Sequence, residues 1–246
     1  MHELMDELLA QLAPFLGGSA DSALFSVSDG LELTLLLQLI PMALGLLLSI
    51  PLAFARNATR LWIARPVWLY TYLLRGTPML VQLFLIYYGL AQFDVVRDSS
   101  LWQYLRDPYF CALLTFTLNT TAYTTEILAG QIRRIDWREI EAAQSLGMSR
   151  WNMHARIVLP SALRRALPAY SNEVIMLLHG TSIVSLVTLS DLTGVARHIY
   201  SDTYNPFQPF IMAGIIYLLL TWLITRIFKK MERRWLAFLQ PGTQTT

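Results

Sequence analysis

Long apolar stretches alternate with short polar segments along almost the whole chain. A helix needs about 20 mostly apolar residues to cross a bilayer. Five stretches reach that length: roughly Leu33–Ala55, Pro66–Ala91, Tyr109–Ile132, Leu167–Leu189 and Phe207–Phe228. The second and fourth carry internal charge. Ahead of the first, Leu4, Leu8, Leu9 and Leu12 recur at helical spacing and predict a short amphipathic helix lying at the membrane surface. The pattern therefore predicts an all-α integral membrane protein with five transmembrane helices.

The polar segments between these stretches differ in charge, and the difference alternates. The N-terminal tail holds Glu3, Asp6, Glu7, Asp21, Asp29 and Glu32 with no Lys or Arg. The first loop holds Arg56, Arg60 and Arg65. The third holds Arg133, Arg134, Arg138, Arg150, Arg156, Arg164 and Arg165, and the C-terminal segment holds Arg226, Lys229, Lys230, Arg233 and Arg234. The second and fourth loops are mixed or acidic. Of the 19 basic residues, 15 thus fall on alternate sides. Basic loops remain in the cytoplasm, so the expected topology puts the N-terminus in the periplasm and the C-terminus in the cytoplasm.

Composition agrees with a lipid solvent. Of the 246 residues, 54% are hydrophobic and 15% charged, against about 25% charged in a typical soluble domain. Mean hydropathy is +0.43. The acidic tail lacks the basic start of a signal peptide. Cys111, the single cysteine, excludes an intrachain disulfide and a thiolate metal cluster; it reads as a small apolar residue at the start of a membrane helix. No phosphate loop of the form GxxxxGK[ST] is present, so no ATP site is expected on this chain. Neither a nucleophile–base pair, a His/Cys metal spacing nor a basic–aromatic soluble face stands out, so the chain is expected to be neither an enzyme nor a nucleic-acid binder and to carry no cofactor.

The third loop, residues 133–166, is the longest and most polar. Glu139, Ile140, Glu141, Ala142 and Ala143 favour a helix. Gly147 supplies a left-handed residue to end it, and Ser149 an N-cap for a second short helix. Pro160 is expected to stop that second helix.

Glu141-Ala142-Ala143, Gly147, Ile157, Leu159 and Pro160 resemble the EAA motif of ATP-binding-cassette (ABC) import permeases. Arg75-Gly76-Thr77-Pro78 with Val81-Gln82-Leu83, the segment Asn119–Gln131, the segment Leu159–Val174 and Glu232–Leu236 are similar to the polar amino-acid permeases, in particular the M-type membrane subunits of the histidine/lysine/arginine/ornithine kind. The resemblance runs from about Leu31 to Leu239. It implies a type I ABC importer permease fold in residues 31–239, with 1–30 a periplasmic tail and 240–246 a disordered one. It also implies a bacterial inner-membrane location, two copies of an ABC ATPase that binds the ATP, a second permease subunit of the Q type and a periplasmic amino-acid-binding protein. The third loop would be the coupling helix that enters a groove on the ATPase. Ala142 and Ala143 would permit close approach there, and Glu141 would pair with basic groups. Glutamine, cystine or opines are alternative cargoes, and a stand-alone secondary carrier is an alternative class, although five spans do not divide into two inverted repeats.

A charge at mid-span costs about 2.5–3.5 kcal/mol on insertion scales, so Arg75, Glu126 and Glu173 are expected to face protein or water. Thr115, Asn119, Ala122 and Glu126 share one helical face; the stripe is either packing or part of a pathway, and Glu126 would gate the cytoplasmic end or pair with loop arginines. Asn172 and His179 share a face in the fourth span. By the resemblance this stripe lines the central cavity. Glu173 would then hold an ammonium or cationic side chain, and His179, Asn172 and Thr181 a carboxylate. Alternatively Glu173 bridges to Arg75, and His179 is a packing residue. Pro41, Gly45 and Ser49 form a ridge that lets helices approach closely.

Overall fold

The computed structural model describes residues 20–236, and side chains from residue 26. Leu4, Leu8, Leu9 and Leu12, expected as a surface helix, and residues 240–246, expected as a disordered tail, lie outside the described residues. Among the described residues every regular element is helical. In chain order they are α1 (Ala20–Arg56), α2 (Leu61–Gly76), α3 (Met79–Phe84), α4 (Asp94–Arg97), α5 (Trp102–Leu105), α6 (Pro108–Arg133), α7 (Trp137–Ser145), α8 (Arg150–Met153), α9 (Leu159–Thr181), α10 (Leu192–Thr203) and α11 (Phe207–Trp235).

Among the described helices, Ser26–Arg56 and Phe207–Trp235 are each long and apolar enough to cross a bilayer. Two further candidates are bent pairs: Leu61–Gly76 with Met79–Gln92, bent by 105°, and Arg150–Val187 with Leu192–Thr203, bent by 46°. The 26-residue α6 is long enough, but it is threonine-rich. Thr115, Thr117, Asn119, Thr120, Thr121, Thr124 and Thr125 on it are all buried. Its polar face is covered by protein, so low hydropathy there does not mean exposure to water.

The second expected stretch, Pro66–Ala91, is not one straight helix. It breaks at Thr77, whose φ of −117° and ψ of 144° are extended. The residue before a proline is pushed out of the helical region, and Pro78 follows. The fourth stretch also differs. Its helix tightens to a 3-10 segment at Ser182–Val187 and ends at Thr188, a left-handed residue with φ 68°.

The described chain divides into two compact units. The first takes the residues up to Pro41 with Met79–Phe116 and Met176–Trp222; the second takes Met42–Pro78, Thr117–Ile175 and the residues from Leu223 on. In the first, Val27 and Leu31 of α1, Leu192 and Val195 of α10, and Met212 and Ile216 of α11 form one core. Asp191, fully buried, caps α10 by accepting from Gly194 N at 2.9 Å, and it also accepts from the Tyr217 hydroxyl at 3.0 Å. In the second, Ala53, Leu128, Ala129 and Ala166 pack the end of α1 against α6 and the start of α9. Gly45 is the close approach there: a Cβ at that position would run into the Thr120 side chain.

Candidate functional site

The hairpin between α6 and α9 is built by local chemistry. Asp136 caps α7, its carboxylate accepting from Arg138 N at 3.0 Å. At the other end Gly147 N donates to Gln144 O at 2.9 Å and Met148 N to Ala143 O at 3.1 Å. That pair of bonds is a Schellman ending, and it requires the left-handed φ of +75° seen at Gly147. Ser149 then caps α8 by accepting from Asn152 N at 3.3 Å.

Pro160 does not stop the second helix, contrary to expectation. His154–Val158 form a π-turn, in which Leu159 N reaches the His154 carbonyl, and α9 continues directly from Leu159. Pro160 sits in the first turn of α9, where the widened turn before it accommodates a residue without an N–H.

Glu141, Ala142 and Gly147 face outward, Ala143 is buried at 3% exposure, and Ile157, Leu159 and Pro160 are half-buried. The hairpin rests on the helices through Ile135, Val158 and Ala162, against which Phe54, Ile132 and Ile140 pack. Phe54 meets the His154 ring edge-on at 5.2 Å, and Arg165 stands 4.0 Å from Glu139. Sequence reasoning missed what lies at the tip. Leu146 is 83% and Trp151 80% exposed. Large apolar side chains left that uncovered by their own chain suit a surface that something else covers, but exposure is not readable from a helix-forming pattern.

A second polar cluster lies in the same unit. The Glu126 carboxylate accepts from Arg56 Nε at 2.6 Å and from the Thr71 hydroxyl at 2.8 Å, with Arg133 at 4.0 Å. Asn57 donates to the carbonyls of Ala53 and Ala129, both at 3.1 Å, and accepts from Arg133 at 3.1 Å. Three helices, α1, α2 and α6, are thus tied at one carboxylate. Arg56, Thr71 and Asn57 were not singled out as site residues from the sequence, because their partners on α6 lie 55 to 76 positions away.

The remaining candidates are dispersed. Asn119 is buried and donates to the Leu74 carbonyl at 3.5 Å. The Arg75 guanidinium lies over the Tyr123 ring, 5.3 Å from its centre. Thr120 shares a hydrogen bond with Glu173, which is only 6% exposed. Asn172 and His179 are exposed. The His179 Nε2 is 3.2 Å from the Thr221 hydroxyl. Thr181 is buried and donates back to its own helix at Leu178 O.

The fold has solved counterparts. An amino acid ABC transporter solved with histidines aligns with a TM-score of 0.74 at 32% identity, over 85% of this chain and 94% of that one. The methionine ABC transporter MetNI, in an inward-facing form, shares the fold with a TM-score of 0.70 at 16% identity, over 85% and 96%. The class is therefore an all-helical membrane permease of the ABC importer type.

Residues 43–237 match the family described as "Binding-protein-dependent transport system inner membrane component". The histidine/lysine/arginine/ornithine transport system permease protein HisM of Salmonella typhimurium is 45% identical over 208 residues, covering 84% of this chain and 88% of the relative. HisM of Escherichia coli K12 is 42% identical over 215 residues, covering 87% and 90%. The octopine transport system permease protein OccM of Rhizobium radiobacter is 43% identical over 204 residues, covering 83% of each. The chain belongs to the inner-membrane components of binding-protein-dependent transport systems, and within them to the permeases of amino-acid importers.

Proposed function

We propose that this chain is one permease subunit of an ATP-driven importer for basic and polar amino acids in the bacterial inner membrane. It crosses the membrane five times, with the N-terminus periplasmic and the C-terminus cytoplasmic. It works with a second, Q-type permease subunit, two copies of an ABC ATPase and a periplasmic binding protein, and it hydrolyses nothing itself. The observation that carries this reading is the hairpin 137–158. It is a Schellman-ended turn presenting Leu146 and Trp151 outward while its inner face is packed on α1, α6 and α9.

The mechanism follows from that mounting. A groove on the ATPase takes the tip, as an apolar helix face fits a groove. Closure of the ATPase pair displaces the hairpin, and its packed inner face passes the displacement to the helices. The membrane part alternates between inward- and outward-open states, and the coupled binding of ATP and of the loaded binding protein favours one of them. Glu173 and Asn119 are the buried groups offered to cargo in transit, and Glu126 controls the closing of the cytoplasmic end. Opine cargo is the second reading, favoured by the likeness to the octopine permease.

The test uses the assembled complex in proteoliposomes. Gly147→Asn keeps a residue that tolerates the left-handed region and retains lysine or arginine uptake. Gly147→Asp adds charge beside the apolar tip, so uptake and co-purification of the ATPase are lost while membrane insertion is kept. Wild-type uptake by Gly147→Asp overturns the coupling assignment.

A further inference from the structure

We infer that the cavity between α10 and the segment 185–190 is an external binding site for the carboxylate of the amino acid in transit, with Arg197 as its anchor. The inference rests on the topology proposed above, which puts this end of the chain on the periplasmic side.

The cavity has a volume of about 550 Å³, within the range of about 300–1,000 Å³ usual for small-molecule sites. Arg197, His198 and Ser201 line it from α10, and Ser185, Thr188 and Ser190 from the facing wall. α10 is two-sided in a way that makes this wall. Leu192, Val195 and Ile199 point into the core with Val27, Leu31 and Met212, which leaves positions 194, 197, 198 and 201 on the other face, at helical spacing.

Both walls are fixed before any ligand arrives. Asp191 caps α10 from its buried position, and Leu192 N donates to the Thr34 hydroxyl at 3.2 Å. At Gly194 the walls are as close as glycine allows, since a Cβ there would stand 2.8 Å from the Leu189 carbonyl oxygen. Thr188 and Tyr204 on either side of α10 both have left-handed backbones, at φ 68° and 53°. For a β-branched threonine that conformation is strained, and such strain collects at binding sites where the surroundings over-determine it.

The lining chemistry selects an anion. Arg197 Nη1 donates to the Ser185 carbonyl at 3.0 Å, which holds the guanidinium in place and leaves its other donors uncommitted. Among the described residues it meets no carboxylate, and no acidic side chain lines the cavity. Of the hydroxyls around it, those of Ser185, Thr188 and Ser201 donate to the carbonyls of Ser182, Val187 and His198, which leaves the Ser190 hydroxyl as the further donor beside the guanidinium. A guanidinium held at one nitrogen, with its remaining N–H groups and one serine hydroxyl open to the cavity, is a donor set for a carboxylate. A concave site of this size favours a small zwitterion over a flat protein contact. The single positive charge holds a cationic amino acid by its carboxylate end only, which suits a site that must also release it.

The assembled complex carrying Ser201→Cys provides the test, because Cys111, the one native cysteine, is buried. Labelling of the introduced thiol by a maleimide is followed with added lysine, with cadaverine, which is lysine without its carboxylate, and with inorganic phosphate. Lysine is expected to slow labelling, and the other two are not. Arg197→Gln is expected to raise the protecting lysine concentration about tenfold, the loss of one charge-assisted bond, and Arg197→Lys less. Equal protection by cadaverine or by phosphate overturns the assignment, as does absence of labelling or of lysine protection. The topology is read separately, from labelling by a membrane-impermeant maleimide in intact cells. Reaction only after permeabilisation refutes the periplasmic placement, whatever lysine does.

Discussion

Glu126 sits mostly buried on α6 and holds three partners. Arg56 is the closest, with side-chain exposures of 22% for Arg56 and 14% for Glu126. Taking away one member of such a pair strands the other in a partly buried place. Arg56→Gln should therefore destabilise the complex by roughly 1–3 kcal/mol, the penalty for an unsatisfied buried group. Glu126→Gln in the same chain should restore part of the loss, because two neutral amides can bond each other. Thermal unfolding of the detergent-purified complex, run as a double-mutant cycle, checks this; additive losses would show that the two residues do not communicate. That Glu126 could not face lipid was legible from charge alone. Its partner was not, because Arg56 reads locally as a positive-inside loop residue and only packing brings it to α6.

Among the elements, α1 and α6 show how close approach is arranged. Gly45 lies where α6 presents Thr120, which also bonds Glu173. Gly45→Val should force the two helices apart and cost about 1–3 kcal/mol, as overpacking does. Thr120→Ala in the same chain should recover most of it, although Thr120→Ala by itself removes the bond to Glu173. The monodisperse fraction surviving mild heating measures both effects, and a Gly45→Val complex as heat-stable as the parent would refute the packing account. The small-residue ridge was visible in the sequence at Gly45 and Ser49. The breaks were read less well. Thr77-Pro78 turns the second stretch by 105°, although a count of apolar residues sees one span. Pro160 was read as a stop, yet a π-turn lets the helix run on.

For the whole molecule the decisive property is sidedness. The proposed topology puts Leu146 in the cytoplasm and Val95 outside. With Cys111 buried, Val95→Cys should react with a membrane-impermeant maleimide in intact cells, and Leu146→Cys only after permeabilisation. Both positions are more than four-fifths exposed in the folded chain, at 84% and 83%, so silence cannot come from burial within the subunit. The opposite pattern would invert the topology and remove the coupling role from the hairpin. Class, family likeness and the hairpin caps at Gly147 and Ser149 were all determined by the amino-acid sequence alone. Hydropathy, charge alternation and turn residues such as Gly147 and Ser149 act over a few positions or sum along the chain. The tertiary structure decided the rest: which carboxylate meets Arg56, that Ala143 is buried while Ala142 is not, that Leu146 and Trp151 stand free, and that Asp191 is a buried cap holding α10 beside a cationic cavity. Those facts depend on segments far apart in sequence being packed together, and neither a local pattern nor a composition carries that information.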